Sequence, residues 1–84
     1  MRILIYLYGE LVSELGWSLK EFEINEKISL KEFFKKYLPE IYEKTIDSDV
    51  IIMTKGLVIP LRDIDKILVE KDMEIIILPI VSGG

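Results

Sequence analysis

Met73-Glu74-Ile75-Ile76-Ile77-Leu78-Pro79-Ile80-Val81-Ser82-Gly83-Gly84 closes the sequence, and its reading decides the fold. The run from Met73 to Leu78 is strongly β-prone and predicts a strand that leads straight into a proline and then a glycine pair. A strand anchored in a sheet would hold the residues after it away from the body as a thin, extended arm, over about 79–84. Two residues without Cβ atoms can enter a channel too narrow for any other side chain. The competing structural reading is that chain ends fray and glycine costs nothing there. The apolar strand running directly into the pair favours an arm made for insertion.

The chemistry open to such an arm is that of a carboxylate. An α-carboxyl has a pKa of about 3.5, so at neutral pH it is anionic and a poor electrophile. It must be activated before it reacts, for example as an acyl-adenylate made by a partner enzyme with ATP. The activated carbonyl could then accept sulfur, giving a terminal thiocarboxylate, or an amine, giving an isopeptide link. Gly84 is the candidate reactive residue, and Val81, Ser82 and Gly83 form the tail that carries it. Nothing in the chain could perform the activation, so it is not expected to be an enzyme by itself, and no bound cofactor is expected.

Length and composition bound the rest. With 84 residues there is room for one domain, spanning 1–84. A chain of this size buries roughly 60–65% of the surface its unfolded form exposes, enough to fold alone with little margin. Half of the residues are apolar and 31% charged, which suits an ordered globule rather than a disordered segment. The net charge of −4 argues against a nucleic-acid partner and is compatible with steering towards a basic protein. There is no cysteine and no histidine, which removes disulfides, Cys/His zinc sites and the commonest general base. No metal site is expected. The apolar run after Arg2 is too short for a signal-peptide core, and no segment reaches membrane-spanning length. No membrane is expected among the partners, and the expected location is the cytoplasm.

Along the chain, Arg2 to Tyr8 predicts a strand ended by Gly9. Glu10 to Leu15 predicts a short helical turn stopped by Gly16. Leu19, Phe22 and Ile24 suggest a second strand whose imperfect alternation is compatible with a bulge, and the two strands make a hairpin. Trp17 reads as a lid on the core edge, with ligand stacking as the alternative. Ser29-Leu30-Lys31-Glu32 is a capping-box signature, with Ile28 and Phe33 placed for a hydrophobic staple. Leu30, Phe33, Phe34, Tyr37 and Leu38 then form one apolar helix face. Pro39 should end or kink that helix and could begin another turn.

Val50 to Met53 predicts a third strand, Lys55-Gly56 a turn, and Leu57 to Leu61 a short edge strand containing Pro60. Arg62 to Lys66 reads as a loop or one tight turn before the last strand. Strands with one main helix packed on one face give an α+β fold. With the first and last strands as parallel central neighbours, this is the β-grasp, or ubiquitin-like, arrangement. Asp47-Ser48-Asp49 opens like a calcium loop but has Ile52 and Val58 where glycine and glutamate are needed, and so fails.

A single helix covers one sheet face, yet the central strands are apolar on both. If Ile3, Ile5, Leu7, Ile75 and Ile77 face the helix, then Leu4, Tyr6, Tyr8, Ile76 and Leu78 face outward. An exposed apolar patch of this kind marks an interface. The alternative is that Trp17, a loop or a second molecule covers it.

Over its whole length, from the N-terminal apolar strand through Glu10-Leu11 to the ending from Asp72-Met73-Glu74 to Pro79-Ile80-Val81-Ser82-Gly83-Gly84, the chain resembles the ThiS/MoaD sulfur-carrier family, most closely the small subunit of molybdopterin synthase. Two positions depart from the family: Lys71 stands where it tends to have glycine, and Ile80 replaces a second proline. The resemblance implies that a ubiquitin-activating-type, MoeB-like adenylyltransferase adenylates Gly84 and that a sulfur donor converts it to the thiocarboxylate. It implies a large, MoaE-like synthase subunit as partner, in whose active site sulfur passes to a pyranopterin precursor to form a dithiolene. It also places Tyr6, Leu57 and Leu78 where the family presents apolar residues to partners, with Ile76 beside them. A protein modifier joined to target lysines, or a sulfur carrier for thiamine or tRNA thiolation, would share this ending.

Overall fold

The two chain-terminal strands lie side by side in the middle of the sheet. The computed structural model describes residues 1–80, so the expected tail residues Val81, Ser82, Gly83 and Gly84 lie outside the described residues. In chain order the elements are β1 (Arg2–Leu7), α1 (Glu10–Leu15), β2 (Leu19–Glu23), α2 (Leu30–Tyr37), α3 (Pro39–Ile46), β3 (Val50–Thr54), β4 (Leu57–Ile59), a 3₁₀ turn (Leu61–Asp63) and β5 (Met73–Pro79). The sheet has five strands in the order β2-β1-β5-β3-β4. β5 runs parallel to β1 and antiparallel to β3. This is the β-grasp arrangement.

The two-residue alternation of β1 and β5 sorts their side chains. Ile3, Ile5 and Leu7 are buried, as are Met73, Ile75 and Ile77. The parallel register sets Ile5 against Ile75 and Leu7 against Ile77, so the inward residues form one apolar floor. Leu30, Phe33 and Phe34 of α2, with Leu38 and Ile41, complete the core on that floor. Phe33 is its aromatic centre, 5.3 Å from the Phe22 ring edge-on and 5.2 Å from Tyr37. Trp17 also packs against the core.

The helix starts where Ser29 predicts, with its Oγ accepting from the Glu32 N–H at 3.1 Å. The expectation of one main helix needs enlarging. Leu38 ends α2 with φ −136° and ψ 66°, and Pro39 at the first helical position opens a second eight-residue helix, α3. Proline cannot continue α2, but its fixed φ suits a new start. α3 buries Ile41 and Thr45, and Thr45 Oγ1 donates back to the Tyr42 carbonyl at 2.6 Å.

β2 pairs with β1 without interruption from Arg2–Glu23 to Tyr6–Leu19, so there is no bulge. The Lys55-Gly56 turn has φ of 54° and 74°, the pair of positive values that a type I′ hairpin needs. β4 ends at Ile59, before Pro60, rather than at Leu61. Asp72 takes φ 58° in the turn where Met73 N–H donates to the Glu70 carbonyl, so the left-handed position falls one residue after Lys71. Residues 64–69 do more than connect. Leu30 N–H donates to the Ile67 carbonyl and Val69 N–H to the Ile28 carbonyl, both near 2.9 Å, and Ile64 and Val69 close the end of the core.

Candidate functional site

On the sheet face away from the helices, the registers assemble a row that no single strand contains. Paired residues point to the same face, so Leu19, Tyr6, Ile76, Met53 and Val58 line up across all five strands. Leu78 and Ile51 form a second, parallel row. The centre of this surface is half-buried by mutual packing, while its ends are open: Leu19 is 52% exposed and Val58 60%.

The other end of the same face is charged. Arg2 lies 3.7 Å from Glu21 and 3.6 Å from Asp72. Tyr6 sits on the boundary, its hydroxyl donating to Glu74 Oε1 at 3.0 Å. That hydrogen bond to a carboxylate holds the Tyr6 hydroxyl above its ordinary pKa, because ionising it would cost the bond and set two negative charges together.

Three of the four residues expected at the partner surface, Tyr6, Ile76 and Leu78, therefore share one face. Leu57 does not. It pairs with Thr54 and shares the phase of Ile59 and Ile52, which face the helices, although at the hairpin tip it remains 70% exposed. The residue that continues the outward row is Val58. The two-residue Lys55-Gly56 turn carries the signal, since it sets Thr54 opposite Leu57 and Met53 opposite Val58.

The apolar end of this face is also where β5 ends. Pro79 pairs with Val50, and Ile80 N–H donates to the Asp49 carbonyl at 3.0 Å. A proline in a central strand ordinarily loses a ladder bond. Here β1 ends at Leu7, and successive N–H groups along a strand point to opposite sides. With Ile80 donating to the β3 side, the Pro79 nitrogen faces the vacated β1 side, where no donor is needed. Glu14, Glu40, Glu43, Asp47 and Asp49 line a shallow acidic cleft with Lys44, whose ammonium lies 2.8 Å from Glu14. Among the described residues no group of His, Cys, Asp or Glu is placed to hold a metal ion, and no helix is long and apolar enough to cross a membrane.

No protein-family model and no curated protein sequence matches this chain. Solved structures do. Small archaeal modifier protein 1 (SAMP1) from Haloferax volcanii superposes with a TM-score of 0.73 at 12% identity, covering 100% of both chains. A Pyrococcus furiosus protein described as molybdopterin converting factor, subunit 1 gives a TM-score of 0.73 at 14% identity, over 96% of this chain and 99% of that one. The fold is that of the ThiS/MoaD-like ubiquitin-fold proteins. SAMP1 from Methanosarcina acetivorans is 25% identical, with a TM-score of 0.64 over 99% of this chain and 96% of its own.

Proposed function

We propose that this chain is a sulfur carrier acting as the small subunit of a molybdopterin synthase in molybdenum or tungsten cofactor biosynthesis. Gly84 is adenylated by a MoeB-like, ubiquitin-activating-type adenylyltransferase using ATP, and a sulfur donor then displaces AMP to leave the thiocarboxylate. A large, MoaE-like subunit receives the arm and catalyses transfer. The chain itself supplies the reactant and a docking face. The observation that supports this best is β5, a central strand pinned as far as Ile80, whose end adjoins an apolar sheet face in a fold shared with small archaeal modifier proteins and a molybdopterin converting factor subunit.

The modifier name of two of the structural neighbours favours a second reading, in which Gly84 is joined to lysines of target proteins. Delivery of sulfur for thiamine or tRNA thiolation would use the same activated terminus. Intact mass of the protein taken from cells separates these: a carrier shows one oxygen exchanged for sulfur, a modifier shows adducts with target chains. Removing Gly84 supplies the direct test. The shortened chain keeps the apolar face and should bind the large subunit, but its terminus lies about 3.5 Å short in an extended arm. A displacement of 1 Å can cost about 100-fold in rate, so transfer should be abolished. Full transfer by that chain would refute the carrier reading.

A further inference from the structure

The loop between β1 and α1 makes a contact that neither the apolar face nor the carboxylate chemistry requires. Gly9 has φ 60° and ψ −141°, a backbone conformation that L side chains rarely adopt. A Cβ at this position would lie 3.1 Å from Pro79 Cγ and 3.5 Å from Pro79 Cδ. Gly16 and Gly56 also have positive φ, but a Cβ at either would meet nothing within 4 Å. Among the described glycines, only Gly9 is needed both for its backbone and for the space it leaves.

Both sides of this contact are fixed. Tyr8 N–H donates to the Ile77 carbonyl at 3.2 Å, and the Gly9 carbonyl accepts from Val12 N–H at 3.1 Å, tying the loop to β5 and to α1. Across the strand, Pro79 pairs with Val50 and Ile80 N–H bonds the Asp49 carbonyl. The proline ring therefore fills the space vacated where β1 turns away, between the Gly9 loop and β3.

We propose that the Gly9 loop is a positioning brace for the C-terminal arm. By packing on the Pro79 ring it holds Ile80 against Asp49, so the end of β5 is fixed when the terminus is presented for activation. This role rests on the reading of Gly84 as the activated carboxylate. In that step a Gly84 carboxylate oxygen attacks the α-phosphorus of ATP, and the bond to the bridging oxygen breaks as pyrophosphate leaves with the electron pair. No side chain of this protein takes part. Gly9 acts through Pro79 alone.

The test uses the wild type, Gly9→Ala, Pro79→Ala and the double variant, with two measurements. One is hydrogen exchange of the Ile80 amide relative to core amides of β1 and β5, which separates local opening from global stability. The other is pyrophosphate release by a ubiquitin-activating-type adenylyltransferase with ATP, resolved into kcat and KM. Gly9→Ala should speed Ile80 exchange about tenfold beyond any uniform change in the core, and lower kcat by about tenfold with KM nearly unchanged. Pro79→Ala removes the ring without strain at residue 9 and should loosen Ile80 similarly. The double variant should be no worse than Pro79→Ala at Ile80, because both changes act through one contact. Ile80 exchange that only follows the core, additive effects in the double variant, or an unchanged kcat would overturn the brace. If the wild type is never adenylated, the carrier reading fails, and Ile80 exchange alone still decides whether the brace exists.

Discussion

The apolar parts of the sheet's two faces are built from similar residues and differ in what covers them. The inner face presents Ile3, Ile5, Ile52, Ile75 and Ile77, each at 0% exposure under α2 and α3. The outer face presents Leu4, Tyr6, Ile51, Ile76 and Leu78, apolar residues in alternating positions, with no helix of the described residues over them and only half-buried. Burial of an isoleucine side chain is worth about 1.5–3 kcal/mol, so the inner face carries most of the folding free energy. The outer face gives up part of that gain and keeps a surface free for binding. Apolar side chains thus serve stability on the inner side and, under the proposed function, recognition on the outer one.

Phe34→Ala offers the strongest test of that division. Its ring is fully buried, and its loss should cost on the order of 3–5 kcal/mol in denaturant unfolding. A change near zero would mean that the inner face does not hold the fold. Leu78→Asp should do the reverse, weakening binding to the large subunit by about 2 kcal/mol, as at interface hot spots. Its stability cost should stay at or below about 1 kcal/mol, the scale of cross-strand pairs on an open sheet face. Unfolding of this variant would erase the distinction between the faces.

The comparison sharpens at the β3–β4 hairpin. Val58→Asp, in the outward row, should weaken the same binding by about 1 kcal/mol, whereas Leu57→Asp, in the opposite phase, should leave it within about 0.5 kcal/mol. Equal losses from both would show that the partner grips the hairpin tip rather than the face.

The smallest effect belongs to the rim of the inner face, where Glu26 accepts from Lys36 Nζ and from the Tyr37 hydroxyl. These bonds, Lys36 first, hold the Glu26 carboxyl below its usual pKa of 4.5 in the folded state. A group whose folded pKa is depressed adds stability above its unfolded pKa and loses it as pH falls through the folded one. Stability should therefore decline slightly more below about pH 4.5 in the wild type than in Glu26→Gln, measured by denaturant midpoints across the acid range. Parallel pH profiles for the two proteins would show the contact to be without consequence.

How far the sequence reaches is clear from particular residues. The β-prone runs Ile3 to Leu7 and Met73 to Leu78, the Ser29 cap and the Lys55-Gly56 turn are local signals. Propensity, side-chain period and backbone φ act within a few residues of the chain, so the strands, the start of α2 and the hairpin followed from them, whereas the inward set stayed conditional because both phases of β1 and β5 are apolar. The ending pointed to an arm in the same way, although Val81 to Gly84 lie outside the described residues. Tertiary structure decided what depends on residues far apart in the chain. Pairing of β3 with β5, which sets Met53 beside Ile76, put the phase of Val58 rather than that of Leu57 on the outward row. Closure of the core made residues 64–69 a packed segment and gave Pro39 a whole second helix. The end of β1 at Leu7 vacated the space that the Pro79 ring fills against Gly9, a fit between residues 70 positions apart that no local pattern encodes.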